Sequence, residues 1–234
     1  MSHSPPPLPA IRLEVTEDYT AQSRPDEGYL RVRRRKMRAH HADGSTGDTF
    51  RYDVVERWNQ DAVAIVLHFV RDGERRVILR SAVRPPLAMR NDWIESPFPD
   101  GVTRGELWEI PAGLVEKDER DLRGLVGCAV RETEEEVGLV IAVDTVRPLG
   151  GPFFPSAGIV GECVFLFEAE IDGDAPRDPE GDGALEKGAR VIDVPLAVAL
   201  SWCDDGALPD GKTEIALRRL ASKLHDKERA GARP

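Results

Sequence analysis

The longest apolar run of the chain, Ala62–Val70, is interrupted only by His68. Asp72 and Gly73 follow almost at once, and this dipeptide is a strong hairpin signal because both residues tolerate the backbone of a tight turn. A second apolar segment, Val77–Leu79, lies on the other side of the dipeptide. The pattern therefore predicts two antiparallel strands joined by a two-residue turn.

The rest of the chain contains shorter segments with strand-like or helical spacing. Apolar or β-branched residues that alternate with charge predict strands within Tyr29–Val55 and at Glu106–Ile110, Val140–Val146, Cys163–Ile171 and Val191–Val194. Helical spacing predicts helices at Leu125–Val137, Leu196–Cys203 and Thr213–Lys227. The segment Asn91–Gly105, rich in proline and glycine, is expected to be a loop. Mixed strands followed by late helices are typical of an α/β sandwich, here preceded by a small antiparallel β extension.

The predicted helix Leu125–Val137 carries acidic residues on one face. At about 100° per residue, Glu132 and Glu136 are neighbours one turn apart, and Glu135 lies beside them. Their repulsion destabilises the helix by roughly a few tenths of a kcal/mol. One interpretation is a solvated acidic face, and the other is a site for Mg²⁺, which prefers oxygen ligands. The strand and tight turn that precede the helix favour the metal site, because the turn can bring a backbone carbonyl to the same ion.

The charge, hydrophobicity and cysteine content of the chain limit the kinds of molecule and compartment that suit it. The chain has 234 residues, with 32 Lys+Arg against 42 Asp+Glu, and a net charge of −10. This charge argues against non-specific nucleic-acid binding, because phosphates would meet a negative surface. The longest apolar run is shorter than the roughly 18 residues that a membrane helix needs, and the first ten residues do not resemble a secretory signal. The three cysteines have no metal-like spacing and cannot all pair, so we expect a protein of the reducing cytoplasm.

The segment Gly113–Leu139 resembles the signature of the Nudix hydrolases. That signature is glycine, five residues, glutamate, seven residues and then Arg-Glu-apolar-any-Glu-Glu-any-Gly-apolar. Here Glu119 follows the glycine at the same spacing, and Arg131 begins a matching nonapeptide. Two departures are visible: the gap after Glu119 is four residues longer, and Thr133 occupies a usually apolar position. Glycine costs about 1 kcal/mol in a helix interior, so the insertion is expected in a loop near residues 119–124.

Three further segments resemble the ADP-ribose and nucleoside-diphosphate-sugar pyrophosphatases of that family. They are the strand and turn Glu109–Gly113, the segment Pro155–Gly158 with the trailing Glu162, and Asp210–Thr213 before the last helix. The resemblance implies a Nudix-type α/β/α sandwich with a mixed sheet over residues 61–234. It also implies that residues 1–60 form an N-terminal β extension that helps to build a homodimer.

The same resemblance implies a metal centre. Its ligands would be the backbone carbonyl of Ala112 and the carboxylates of Glu132 and Glu136, with Glu135 close by in support. The ion is expected to be Mg²⁺, with Mn²⁺ as a substitute.

The resemblance also implies substrate contacts. Arg84 resembles an arginine that these enzymes place near the substrate phosphates, and a surface arginine is the alternative. Trp58, beside Glu56, is expected either to stack on a purine base across the dimer or to pack in the interior. The basic segment Arg31–Arg38 is expected to line the dimer surface or to attract an anionic substrate.

The general base implied by the resemblance is an acid in the loop after Pro155–Gly158. Glu186 is favoured over Glu180 and Asp182 because it lies next to the following strand, and Glu162 is the competing candidate.

These features together imply Mg²⁺-dependent hydrolysis of the pyrophosphate bond of ADP-ribose or a related nucleoside diphosphate sugar. The products would be a nucleoside monophosphate and a sugar phosphate. Two alternatives stay open: hydrolysis of another nucleotide, such as a nucleoside triphosphate, and a Nudix-fold binding or regulatory module without turnover. The insertion and Thr133 are the features that support the second alternative.

Overall fold

The computed structural model describes residues 28–40, 45–90, 105–172 and 188–231, together with Pro6. Its first two strands, β1 (Arg31–His40) and β2 (Thr46–Glu56), form an antiparallel sheet of their own. The small β extension predicted within Tyr29–Val55 is therefore confirmed.

A second, seven-stranded sheet forms the body of the protein. Its strands are β3 (Ala62–Arg71), β4 (Glu74–Val83), β5 (Glu106–Glu109), β6 (Ala112–Leu114), β7 (Val146–Pro148), β8 (Val164–Glu170) and β9 (Val191–Pro195). The strand order is β5-β4-β3-β8-β7, with β6 pairing with β3 and β9 pairing with β4. β3 and β8 run parallel and the other pairs run antiparallel, so the sheet is mixed.

The predicted Asp-Gly turn joins β3 to β4. Asp72 has a φ of 52° and Gly73 a φ of 78°, and two positive φ values in succession are what a type I′ hairpin turn requires. Successive side chains of β3 point to opposite faces of the sheet and enter two different core clusters. β3 is thus buried on both faces, which explains its continuous apolar run.

Helices cover both faces of this sheet. They are α1 (Pro85–Ala88), α2 (Leu122–Val137), α3 (Leu196–Asp204) and α4 (Gly211–Gly231). α2 packs on the face of β3 that presents Ile65 and Leu67, whereas α3 and α4 pack on the face that presents Ala64 and Val66. The three layers confirm the predicted α/β/α sandwich. Across the described ranges, no helix is both long and apolar enough to cross a membrane.

Helix α2 begins three residues earlier than predicted. The Asp121 side chain accepts a hydrogen bond from the Gly124 amide at 2.7 Å, which satisfies one of the first-turn amides that has no partner inside the helix. The insertion therefore lies partly in the helix and not wholly in a loop. A Cβ atom on Gly124 would lie 2.3 Å from Cα of Glu119, so the preceding loop packs directly on the helix start. At the other end Gly138 has a φ of 66° and caps the helix as predicted.

Two other predictions about local structure are wrong. Val140–Val146 is not a strand: a 3-10 turn occupies Val143–Thr145, and the Thr145 hydroxyl donates to the Ala142 carbonyl at 2.7 Å. Val140 is 79% exposed, and within this segment only Val146 enters a strand, as the first residue of β7. Conversely, Pro111–Gly113 was expected to be a tight turn, but Ala112 and Gly113 belong to strand β6, which pairs with the start of β3. Of the expected loop Asn91–Gly105, only Gly105 is among the described residues.

The β1–β2 sheet touches the body through the loop before β8. The Val55 amide donates to the Ile159 carbonyl at 2.9 Å, and the Tyr52 hydroxyl donates to the Gly158 carbonyl at 2.6 Å. The division of the chain at residue 60 into an extension and a Nudix domain stays a prediction.

Candidate active site

The acidic face of α2 lies directly on the backbone at the start of β6. The Ala112 amide donates to Oε2 of Glu136 at 2.8 Å. A Cβ atom built on Gly113 would lie 1.8 Å from the carboxyl carbon of Glu132, so that carboxylate occupies the space which any side chain at Gly113 would need. The structure therefore brings together Ala112, Glu132 and Glu136, the three residues expected to hold a metal.

Arginines neutralise both carboxylates. Arg131 donates to Glu132 at 2.5 Å, and it also contacts Glu119 at 3.2 Å and Glu135 at 3.3 Å. Glu136 accepts a hydrogen bond from Arg80 on β4. Glu119 thus joins the cluster despite the longer gap in the sequence. Glu135 stands at its edge, with 55% of its side chain exposed.

Burial decides the electrostatics of this cluster. Burial raises the pKa of Glu136 to about 7, although Arg80 and the Ala112 amide favour its charged form. Burial also raises the pKa of Glu132, against the opposing effect of Arg131. For Glu119 burial acts in the same direction but is outweighed by the Glu116 amide and Arg131, so its pKa is lowered. Burial therefore disfavours the charged forms of Glu132 and Glu136, and a bound cation would relieve that electrostatic cost.

The donors at this position fit a hard divalent ion. Glu132 and Glu136 supply carboxylate oxygens, the ligands that Mg²⁺ prefers, and Gly113 leaves room for Glu132 to approach the backbone. As the side chains stand, no three acidic, histidine or cysteine side chains of the described residues converge in a ligand arrangement. Arg131 and Arg80 each occupy one oxygen of these carboxylates, so they compete with a cation for Glu132 and Glu136.

A cleft of about 730 Å³ opens beside this cluster. The backbone of β6 forms one wall, and aromatic side chains of Tyr29, Phe153 and Phe154 form another part of the lining. Among the described residues, three basic side chains reach the cleft: Arg57, Arg84 and Lys212. A cleft with cations, aromatic faces and a neighbouring acidic cluster is suited to a nucleotide that carries phosphates.

The buried Glu109 fixes two of these cations. Its carboxylate accepts from Arg84 at 2.5 Å and from Lys212 at 2.6 Å. Burial alone would raise the pKa of Glu109, but Lys212 and Arg84 outweigh it and the pKa is lowered. Lys212 also contacts Asp210 at 3.0 Å, and Asp210 in turn accepts from the Thr213 amide at the start of α4. Glu109 is thus a permanent anion that holds Arg84 and Lys212 at the cleft.

The candidates for the general base are only partly described. Glu162 lines the cleft, where its carboxylate is paired with Arg57 at 2.5 Å. Glu180, Asp182 and Glu186 lie outside the described residues.

Trp58 and Glu56 do not line this cleft. Trp58 is 63% exposed, and the guanidinium of Arg31 lies 4.1 Å from the centre of its ring, so the interpretation as interior packing is wrong. Glu56 is paired with Arg33 at 2.9 Å. Arg57, which stands between them, is the residue that reaches the cleft.

The NUDIX domain family model matches residues 59–200, which is more than half of the chain. This chain belongs to the Nudix family. The family resemblance expected from Gly113–Leu139 is thereby confirmed. The acidic cluster described above lies within the matched residues.

Several curated relatives are named GDP-mannose pyrophosphatase. The protein of Cronobacter sakazakii is 35% identical over 122 residues, which cover 52% of this chain and 59% of the relative. The protein of Klebsiella pneumoniae is 37% identical over 116 residues, covering 50% and 54%. One from Escherichia coli O1:K1 is 29% identical over 144 residues, covering 62% and 71%. The first two matches thus span little more than half the length of the relatives.

Proposed function

We propose that this Nudix protein hydrolyses the pyrophosphate bond of a nucleoside diphosphate sugar, giving a nucleoside monophosphate and a sugar phosphate. ADP-ribose and GDP-mannose are the substrates to test first, the former from the resemblance of the motifs and the latter from the names of the relatives. The observation that supports the proposal most is the position of the acidic cluster. Glu132 and Glu136 lie against Ala112 and Gly113, whose backbone forms a wall of a cleft with three basic side chains.

The residues of the chain have separate tasks in this proposal. Glu132, Glu136 and the Ala112 carbonyl would hold Mg²⁺. When bound, that ion would supply neutralising charge at the phosphate oxygens and a water of lowered pKa. Arg84, Lys212 and Arg57 would orient the two phosphates, because cationic donors form strong hydrogen bonds with phosphate oxygens. The aromatic side chains of the cleft would exclude water from one side of the substrate.

The general base is proposed to be either Glu186 or Glu162. A base must lie within hydrogen-bond reach of the water that it deprotonates. Glu162 is at the cleft, and it would have to be released by Arg57 before accepting a proton. Comparison of the Glu162→Gln and Glu186→Gln variants decides between them, since only loss of the base removes the limb of the pH–rate profile that reports its ionisation.

We further propose that the active particle is a homodimer formed through residues 28–60, and that it resides in the cytoplasm. Met37, Phe50 and Tyr52 on the β1–β2 sheet are each more than 40% exposed. A two-stranded sheet has little stability by itself, so a second copy that covers these side chains would stabilise it.

A substrate panel tests the proposal. Purified protein is incubated with Mg²⁺ or Mn²⁺ and with ADP-ribose, GDP-mannose, other nucleotide sugars or nucleoside triphosphates, and the products are separated by chromatography. We expect a nucleoside monophosphate and a sugar phosphate from at least one nucleotide sugar, and no reaction when the metal is chelated. Turnover restricted to triphosphates would reject the nucleotide-sugar assignment. Absence of turnover on the whole panel, with nucleotide binding retained, would favour the regulatory module.

A further inference from the structure

Arg80 is a buried arginine that the proposed reaction does not use. It lies on β4, is 4% exposed, and its side chain contacts α2. Its Nη1 donates to Oε1 of Glu136 and lies 3.4 Å from Oε1 of Glu109. Its Nε is buried without a hydrogen-bond partner in the described part of the chain. Burial of a guanidinium with an unsatisfied donor costs free energy, so a buried arginine between two carboxylates suggests a role beyond stability.

The two carboxylates depend on Arg80 to different degrees. Glu109 also accepts hydrogen bonds from Arg84 and Lys212, and would keep two cations if Arg80 moved away. Glu136 accepts from Arg80 and from the uncharged Ala112 amide, as far as the described residues show. Arg80 is therefore the main source of positive charge for Glu136. The charge of Glu109 is balanced by its two other cations whether or not Arg80 lies beside it.

We propose that Arg80 is a positioning residue that neutralises Glu136 in the metal-free protein and shifts onto Glu109 when a divalent ion takes its place. This inference rests on the proposed function, in which Glu136 is a metal ligand. The shift is short, because Nη1 is already near hydrogen-bond distance from Glu109.

Two consequences follow from this competition. Arg80 keeps the metal-free cluster ordered, because its positive charge holds the Glu136 carboxylate beside Ala112. Without that charge, Glu136 and Glu132 would repel each other. Arg80 also weakens metal binding, because a cation near the site repels the incoming ion and must be displaced from Glu136. If Arg80 served only to maintain the structure, its removal would disorder the ligands and weaken metal binding.

The test is a calorimetric titration of the metal-free full-length protein with Mn²⁺, together with thermal unfolding with and without Mn²⁺. We expect Arg80→Met to lower the Kd for Mn²⁺ about threefold or more, because one repelling charge is removed. Its Tm without metal should fall below that of the wild type, and saturating Mn²⁺ should raise the Tm of the variant more than that of the wild type. Arg80→Lys, which keeps the charge, should restore both properties in part. Should Arg80→Met not fold, Arg80→Gln is measured in the same way.

Arg76→Met is the matched control. Arg76 lies on the same strand and is paired with Asp193 on β9, away from the acidic cluster. Its replacement should cost some stability and leave the Kd for Mn²⁺ unchanged.

A parallel titration of Glu136→Gln separates the inference from the proposed function. If Glu136→Gln loses Mn²⁺ binding while Arg80→Met binds Mn²⁺ with the wild-type Kd or more weakly, the role of Arg80 is overturned and the metal site stands. If Glu136→Gln binds Mn²⁺ like the wild type, Glu136 is not a ligand, and both the metal site and the role of Arg80 are rejected.

Discussion

At the scale of single residues, the candidate site depends on the close approach of α2 to the backbone of β6. A Cβ atom at Gly113 would lie 1.8 Å from the carboxyl carbon of Glu132, far inside any real contact distance. Glycine is required here because a neighbouring side chain occupies the space, and its φ is not a left-handed one. Position 113 therefore sets where the Glu132 carboxylate can lie.

Gly113→Ala should lower kcat/KM for the nucleotide sugar at least about 100-fold, because the added methyl group displaces Glu132 from Ala112, and misplacement of a catalytic group by about 1 Å can cost that much. Gly127→Ala on α2 is the matched control. Nothing lies within 4 Å of a Cβ there, and alanine should stabilise the helix by up to about 1 kcal/mol. Steady-state kinetics and urea unfolding of both variants check the prediction. Full activity in Gly113→Ala would show that Glu132 can be moved without consequence.

Glu136→Gln should abolish metal-dependent hydrolysis, with a loss of at least about 100-fold, and leave the fold intact. Loss of even an outer-shell partner of a metal ligand costs about 10–100-fold, and glutamine matches glutamate in size. The exposed Glu134 on the same helix supplies the control variant Glu134→Gln, for which we expect wild-type kinetics. Circular dichroism verifies the fold, and wild-type rates in Glu136→Gln would remove this residue from the site.

The sequence predicts that the acidic residues of α2 lie together, but it does not predict which basic residues from distant parts of the chain reach them. Glu132, Glu135 and Glu136 share one helix, so the helical repeat alone places them together. Arg80, Arg57 and Lys212 reach the same region from β4, a loop and the start of α4, and no spacing rule connects them to α2. The Asp-Gly-Lys-Thr segment predicts a helix start, but the position of its lysine at the cleft depends on Glu109, which is distant in the sequence.

At the scale of elements, α4 is joined to the sheet by a buried polar contact as well as by apolar packing. Glu168 on β8 is 6% exposed and accepts from His68 at 2.5 Å and from Lys223 of α4 at 2.6 Å. The His68 hydrogen bond is the main reason why the pKa of Glu168 is lowered to about 2; burial opposes the shift and Lys223 adds to it.

This contact should make stability depend on pH in the acidic range. Because the folded-state pKa lies below the ordinary value of 4.5, the contribution of Glu168 is fully present above about pH 4.5. It is lost as the pH falls from there toward about 2. Glu168→Gln should therefore lower the free energy of unfolding by up to about 3 kcal/mol at pH 7, and by progressively less below pH 4.5. Urea unfolding of both proteins at pH 7, 5, 4 and 3 checks this, and a difference that grows on acidification would contradict it.

Element boundaries follow from the sequence where one local signal decides them. The Asp-Gly turn and the Gly138 cap are such signals, and both are confirmed. Val140–Val146 is rich in β-branched residues, yet a strand forms only where the edge of another strand is available for pairing. That availability depends on the whole fold and not on the local sequence. The same reasoning applies to Ala112–Leu114, whose strand exists because β3 offers it a pairing position.

At the scale of the whole molecule, the β1–β2 sheet stands apart from the body. Met37 is paired with Phe50 across the two strands, and Tyr52 lies on the same face two residues further along. These three exposed side chains form a continuous apolar patch on a sheet that is otherwise rich in arginine. Tyr52 also donates to the Gly158 carbonyl of the body, whereas Met37 and Phe50 stay 42% and 46% exposed.

We expect the full chain to be a homodimer through this sheet, and Phe50→Asp to shift it toward the monomer because a buried charge would be unpaired in the interface. Val70→Asp, at an equally exposed apolar position on β3, should remain dimeric. Light scattering coupled to size-exclusion chromatography measures both. A wild-type protein that is strictly monomeric and still active would contradict the proposed dimer.

The parallel pairing of β3 with β8 has a consequence for biosynthesis. Ala62 pairs with Val164 and His68 with Glu170, so the partners are separated by about 100 residues of chain. The β3–β4 hairpin can close as soon as it leaves the ribosome, but one edge of β3 then has no neighbour until β8 has been translated. Nascent chains of intermediate length therefore present an apolar strand edge, and they are the species most prone to aggregate or to require a chaperone.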